Sequence, residues 1–246
     1  HFLHYPEGCS LLLHTLHPLK GFMAIPLLHV LSLTQTYNLL ALYSFVATGV
    51  TAFWFVHYVS RAYWPSILGG FIFTFANYHF GHLEGHMQLI SMEWLPVFIL
   101  LWHRLLRRPR ALTAIGASLA LFLNLLCDHY YFLYSVLAGG LLAVWRAWQT
   151  RRPFFLLTAS YRIPLLVFIV SGMATSGVLV GAMQRMIHFE SFIGLMKPTD
   201  FSMDSLGLLI PGAHWHFGAW TQWYWSRAPG KIHGSSMHLG VAVRSE

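Results

Sequence analysis

Residues 37–60 read YNLLALYSFVATGVTAFWFVHYVS, a run without one Asp, Glu, Lys or Arg, and Arg61 closes it. Crossing a bilayer takes roughly 20 apolar residues in a helix, so this stretch predicts a transmembrane span with its arginine end at one membrane surface. Working outward, further apolar runs predict spans at 64–80, 87–106, 110–127, 130–148 and 161–182. The loops between them alternate in charge. One set carries Arg61, then Arg104, Arg107, Arg108 and Arg110, then Arg146, Arg151, Arg152 and Arg162; the other set is free of arginine. All eight acids (Glu7, Glu84, Glu93, Asp128, Glu190, Asp200, Asp204 and Glu246) fall on, or at the membrane edge of, the arginine-poor side. Arginine-rich loops stay in the cytoplasm, so the acids are expected to face outward.

Composition agrees. Charged residues make up 9% of the chain and hydrophobic ones 56%, whereas a soluble domain carries about 25% charged residues. The net charge of +7 does not point to nucleic acid. Nine of the fifteen Lys and Arg lie in the three arginine-rich loops just named, where they orient the chain and meet anionic headgroups. The outer loops hold no basic groove with stacking aromatics, which excludes nucleic acid as a partner.

The expected organisation is an all-α, polytopic membrane protein of about six spans. Residues 1–36, interrupted by Pro6, Pro18 and Pro26, read as an outer loop with a short membrane-edge helix near Phe22–Leu33. Residues 37–182 form the transmembrane helical domain. Residues 183–246, polar and broken by Pro198, Pro211 and Pro229, read as an outer loop or cap. Pro96 is expected to kink the third span, since proline removes a helical N–H. Small-residue pairs Gly81–Gly85, Gly172–Ser176 and Gly177–Gly181 sit at helical spacing, which favours close helix approach. Topology permits a disulfide between Cys9 and Cys127; two buried free thiols are the preferred expectation. The chain opens inside a polar, His-rich stretch with no signal-peptide pattern, as a piece of a longer protein would.

The densest polar cluster is Tyr78-His79-Phe80-Gly81-His82-Leu83-Glu84-Gly85-His86. On a helix His79, His82 and His86 share one face at the spacing metal ligands use. The cluster therefore reads as a metal site or as a set gripping phosphate, against the plainer alternative of an interfacial hairpin whose imidazoles reach water. It matches neither the HExxH nor the HxxEH zinc-protease pattern. With His214/His216 and His233/His238 it also suggests, more faintly, a His-ligated membrane metallo-oxygenase, although no His-His pair is present. Asp128-His129-Tyr130-Tyr131 places a carboxylate at an outer turn, where an ionisable group marks function by default; a helix N-cap is the structural alternative. Glu93, beside Trp94, is either a buried functional acid or a hydrogen-bond partner of a neighbouring helix. In the tail, His214-Trp215-His216-Phe217 and then Trp220, Trp223, Tyr224 and Trp225 precede Arg227 and Lys231. That order suggests an aromatic belt or a stacking platform whose cations reach a phosphate.

Several stretches resemble one group of proteins. Tyr5-Pro6-Glu7-Gly8, His14-Thr15, Pro18-Leu19 and Tyr37-Asn38-Leu39-Leu40 are similar to the first outer loop and following span of large bacterial multi-pass membrane proteins of the GT-C glycosyltransferase type. Phe73-Thr74-Phe75-Ala76, leading to Tyr78, His82, Gly85-His86 and Glu93-Trp94-Leu95-Pro96, looks like the group's most recognisable signature; Tyr130-Tyr131 and Asp204–Gly212 also fit. The resemblance implies a helical enzyme of the bacterial inner membrane that takes a sugar from a polyprenyl-phosphate donor at the extracytoplasmic face. It also implies a catalytic Asp or Glu in the first outer loop, where Glu7 is the one acid present. Glu84, Asp128 and Glu7 are the candidates for general base or for orienting the acceptor, and His82, His86, Arg227 and Lys231 for phosphate contact. The cofactor is left open between none and a divalent cation. Membrane lipid and the lipid-linked sugar are the expected partners. The competing expectation is a non-catalytic membrane subunit of a larger assembly.

Overall fold

The computed structural model describes residues 17–83, 85–152, 155–177, 179–182, 184, 210, 218–225 and 227. Every regular element among them is helical, and none is a strand. The chain divides into two units, His1–Phe75 with His82–Glu190 and Ala76–Gly81 with Ser191–Glu246.

In the larger unit α1 spans Pro18–Leu27 and starts on proline, whose missing N–H costs nothing in a first turn. α2, Leu33–Ser60, begins with a reciprocal capping box between Ser32 and Gln35 and ends on Arg61 in the left-handed region at φ 58°. α3 covers Tyr63–Thr74, α5 Trp94–Arg107, α6 Ala111–Cys127, α7 His129–Thr150 and α8 Ala159–Gly172, the last running on as a π turn, Met173–Gly177. The smaller unit contains α4, Asn77–Gly81, and a short helix α9, Gln222–Trp225.

Two of these helices are long and apolar enough to cross a membrane, Leu33–Ser60 and Ala159–Gly177; Ala111–Cys127 is apolar but shorter at 17 residues. The expected span 64–80 divides, because α3 stops at Thr74 and α4 starts afresh at Asn77. The expected span 87–106 is helical from Trp94 onward, with 87–93 in turns. Pro96 consequently lies in the first turn of α5, where no N–H is owed to an earlier carbonyl, and it does not interrupt the helix as expected.

α2 is built inside out. Its buried positions are Thr36, Leu40, Ala41, Ser44, Thr48 and Ala52, six of 28, whereas Leu42, Val46 and Trp54 are each more than half exposed. A soluble helix buries its large apolar side chains and shows its small polar ones. α3 closes on α2 through glycine: a Cβ at Gly70 would sit 2.8 Å from the Gly49 carbonyl oxygen, and one at Gly69 2.8 Å from Val56. Gly172 stands in ordinary contact distance of Ser118, and Ser171 shares a 2.6 Å hydrogen bond with that serine, so α8 and α6 approach there, whereas Gly177 meets only Met173 of its own segment and Gly181 has nothing within 4 Å. Gly81 and Gly85 have open space around them and serve no such contact.

The apolar core joins Phe98, Trp102, Leu105 and Leu106 of α5 to Ala114 and Leu121 of α6 and Tyr161 of α8. Two directed bonds fix it: Trp102 Nε1 donates to the Gly139 carbonyl at 2.8 Å, and the Tyr161 hydroxyl donates to the Leu106 carbonyl at 2.6 Å. α5 and α6 form an antiparallel hairpin turning at Arg108–Arg110, which separates charge along the bundle. Glu93 lies at one end of α5 and Arg104 and Arg107 at the other; Arg110 opens α6 and Asp128 follows its end. With 14 and 17 residues, the helices hold these poles about 20–25 Å apart at 1.5 Å per residue.

Candidate functional site

The acidic pole of the larger unit is organised by a residue not singled out in the sequence, Lys20. His17 N-caps α1, its Nδ1 accepting the Lys20 backbone N–H at 3.0 Å. Burial and the nearby Lys20 charge hold His17 at a pKa of about 3, so the ring is neutral, with the proton on Nε2. α1 then turns Lys20 inward, where its side chain is 3% exposed. Its Nζ donates to Ser44 Oγ at 2.6 Å and to the Leu40 carbonyl at 3.3 Å, lies over the Tyr43 ring at 4.3 Å, and pairs with Glu93 Oε1 at 3.2 Å. Burial pulls the ammonium below the ordinary lysine range, and the Glu93 carboxylate opposes that pull.

Glu93 occupies the N-cap position of α5 but does not cap it; its side chain turns to Lys20 instead. Among the described residues neither carboxylate oxygen meets hydrogen-bond geometry, so charge attraction holds the pair. Ser44 and Ser91, 3.4 Å apart, link the pair's surroundings to the turn before α5. Glu93, expected as a buried acid or as a hydrogen-bond partner of a neighbouring helix, is buried and stands as counter-ion to Lys20 of α1. A lone lysine in the apolar run PLKGFMAIPLL and a lone glutamate in SMEWLPV were the available signal, because each opposite charge in such surroundings requires the other.

Asp128 connects α6 to α7. It is 3% exposed, and its Oδ1 accepts the Tyr130 N–H at 2.6 Å, the N-cap alternative expected from sequence. That bond leaves Oδ2 uncommitted to the cap. Burial raises the Asp128 pKa, against the lowering effect of the Tyr130 N–H and of His129. One turn earlier on α6, Asn124 is fully buried, and among the described residues neither its Oδ1 nor its Nδ2 has a hydrogen-bond partner. Buried amides are rarely left so. Cys127, between the two, is a free buried thiol packed with Met92 and Tyr131, whose hydroxyl donates to the Leu89 carbonyl. Asp128 and the Lys20–Glu93 pair thus flank one small cluster at the same end of the bundle.

The other expected site residues are distributed as follows. His82 and His86 are joined by one backbone bond, the His86 N–H donating to the His82 carbonyl at 3.1 Å, and their ring centroids are 5.7 Å apart. His79 is buried on α4 in the smaller unit. Among the described residues no three His, Cys, Asp or Glu side chains gather as a metal site would require. Arg227 is exposed in a turn after α9, its N–H donating to the Tyr224 carbonyl at 3.0 Å. Glu7, Glu84 and Lys231, like Cys9, His214, His216, His233 and His238, lie outside the described residues.

Compared with protein-family models, curated proteins and solved structures, the chain matches nothing.

Proposed function

We propose that this chain spans a membrane and transfers a sugar from a polyprenyl-phosphate donor at the extracytoplasmic face, with the pole bearing Asp128, Lys20 and Glu93 outward. Membrane residence is supported by the inverted pattern of α2 and by two long apolar helices whose surfaces are mostly uncovered. The observation that carries the reaction is Asp128: a buried carboxylate of raised pKa, one oxygen fixed by the α7 cap, with an unpartnered amide one turn away. A raised pKa makes a carboxylate a better general base near neutrality.

In this reaction the acceptor O–H gives its proton to a carboxylate, Asp128 Oδ2 or the Glu84 side chain. The acceptor oxygen bonds the anomeric carbon as the bond from that carbon to the phosphate oxygen breaks. The polyprenyl phosphate leaves with the electron pair, its charge met by cations and N–H donors. His82 and His86 are the candidates for that contact, and Glu7 is a third candidate base. The resemblance to GT-C enzymes of the bacterial inner membrane supports this choice of chemistry.

The alternative, a non-catalytic membrane subunit, is favoured by one specific observation: Asp128 and Glu93 both have structural tasks, as cap and counter-ion. Full-length protein assayed with a panel of polyprenyl-phosphate sugars separates the two. Asp128→Asn or Glu84→Gln should slow transfer by about 100-fold or more, the scale of a lost general base. Parental rates in both variants would remove both carboxylates from the role. A parental protein that transfers nothing and copurifies with a fixed set of membrane proteins would establish the subunit.

A further inference from the structure

At the opposite pole, five arginines from two separate loops converge on one pocket of about 350 Å³. Arg61 enters from the end of α2, Arg104 and Arg107 from the last turn of α5, and Arg108 and Arg110 from the turn into α6; Tyr58 and Thr113 complete the lining. Arginines at helix C-termini are commonplace, because they complement the helix dipole and mark the cytoplasmic side. Two features exceed that explanation.

First, the guanidiniums of Arg61 and Arg104 both lie against one ring, 5.3 and 5.7 Å from the centroid of Tyr58. Two like charges from separate loops thereby share one aromatic support. Second, among the described residues the pocket holds no counter-charge. Among the described residues the acids are Glu93 and Asp128, both at the far ends of α5 and α6, and Glu93 is already paired with Lys20. The pocket also receives the N-terminus of α6, which has no side-chain cap and offers free N–H groups of the same polarity.

We propose that this pocket binds a multiply charged phosphate group, a phosphate monoester or pyrophosphate. Guanidinium forks match phosphate oxygens in pairs, and several converging forks select a dianion over a singly charged diester. The same chemistry comes from two sources, the headgroup of a lipid at the membrane surface or a soluble phosphate compound. The site is separate from the proposed transferase pole and does not depend on that reaction.

The test uses the purified full chain in non-ionic detergent at about 50 mM salt, where exposed charges are only moderately screened. Dioleoyl phosphatidic acid retention is measured by native mass spectrometry against dioleoyl phosphatidylcholine, and inorganic pyrophosphate binding by equilibrium dialysis. Phosphatidic acid should be retained preferentially, pyrophosphate should bind, or both. Arg61→Gln with Arg104→Gln and Arg107→Gln should weaken that binding by about tenfold or more, the loss expected when several charge-assisted bonds go. Arg151→Gln with Arg162→Gln, arginines outside the pocket, should leave it within about twofold of the parent, the scatter of remote surface charges. Retention of phosphatidic acid without pyrophosphate binding assigns the lipid source; competition between the two assigns an open phosphate site. Should the triple variant fail to fold, Arg110→Gln alone, exposed and in a turn, serves in its place and must lower binding measurably. Absence of binding by both probes, equal binding by the pocket variant, or an equal loss in the control pair would overturn the proposal.

Discussion

Lys20 Nζ lies 3.2 Å from Glu93 Oε1, with both side chains almost wholly withdrawn from solvent, and the pair ties α1 to the first residue before α5. Charges this deeply buried are tolerated only together. Removing one leaves the other uncompensated, which costs about 3–5 kcal/mol, whereas replacing both with apolar groups of similar volume is often close to neutral. Lys20→Met and Glu93→Leu should therefore each lower the unfolding temperature in detergent sharply, and the double variant should recover most of the loss. Additive losses in the double variant would mean the two charges do not compensate one another.

Asp128 gives a pH dependence of known sign. Because burial raises its pKa above the ordinary 3.8, the folded chain holds that proton more tightly than the unfolded one. Its ionisation thus costs stability: the cost is absent below pH 3.8 and complete above the folded-state pKa. Asn keeps the cap without ionising. Relative to Asp128→Asn, the parent should lose thermal stability as pH rises through that window. Asp128→Ala, which loses the cap, should be about 1 kcal/mol less stable than Asp128→Asn at every pH. A parent that gains on the Asn variant with rising pH would contradict the burial argument.

The α2–α3 contact predicts a contrast between two glycines. A methyl at Gly70 meets the Gly49 carbonyl oxygen at 2.8 Å, a backbone atom that cannot swing aside, whereas Gly140 on α7 has nothing within 4 Å. Gly70→Ala should destabilise the protein by about 1–3 kcal/mol, the usual cost of overpacking. Gly140→Ala should be neutral or stabilising by up to about 1 kcal/mol through helix propensity. Chemical denaturation of the two variants in detergent checks both, and equal effects would show that α3 does not seat against α2 as described.

Much of the helical layout was readable because charge and apolar length are local properties. The span 110–127 and the observed Ala111–Cys127 differ by one residue, and Arg61 ends α2 where the charge pattern stops it. Breaks inside apolar runs were not readable. Nothing in Phe73-Thr74-Phe75-Ala76 lowers hydropathy enough to end a span, yet α3 ends at Thr74, and the apolar Leu89 and Ile90 fall in the turns before α5. Hydropathy measures preference for an apolar medium and carries no information about where the backbone turns. For the site, Asp128 and its cap were visible in Cys127-Asp128-His129-Tyr130, since capping is a matter of adjacent residues. Lys20 and Glu93 are far apart in sequence, and their meeting depends on α1 folding against α2, which no local pattern encodes.

A membrane-spanning bundle with its arginines on one side and Asp128 on the other has a defined sidedness, which impermeant maleimide labelling in intact and permeabilised cells reads out. Cys127 is fully buried and out of the reagent's reach, and Cys9→Ser removes the second native thiol. Single cysteines then replace Arg107, Arg151 and His86, all exposed positions. His86→Cys should label in intact cells, while Arg107→Cys and Arg151→Cys should label only after permeabilisation. Labelling of all three in intact cells, of none until permeabilisation, or of 107 and 151 in place of 86 would contradict the arrangement.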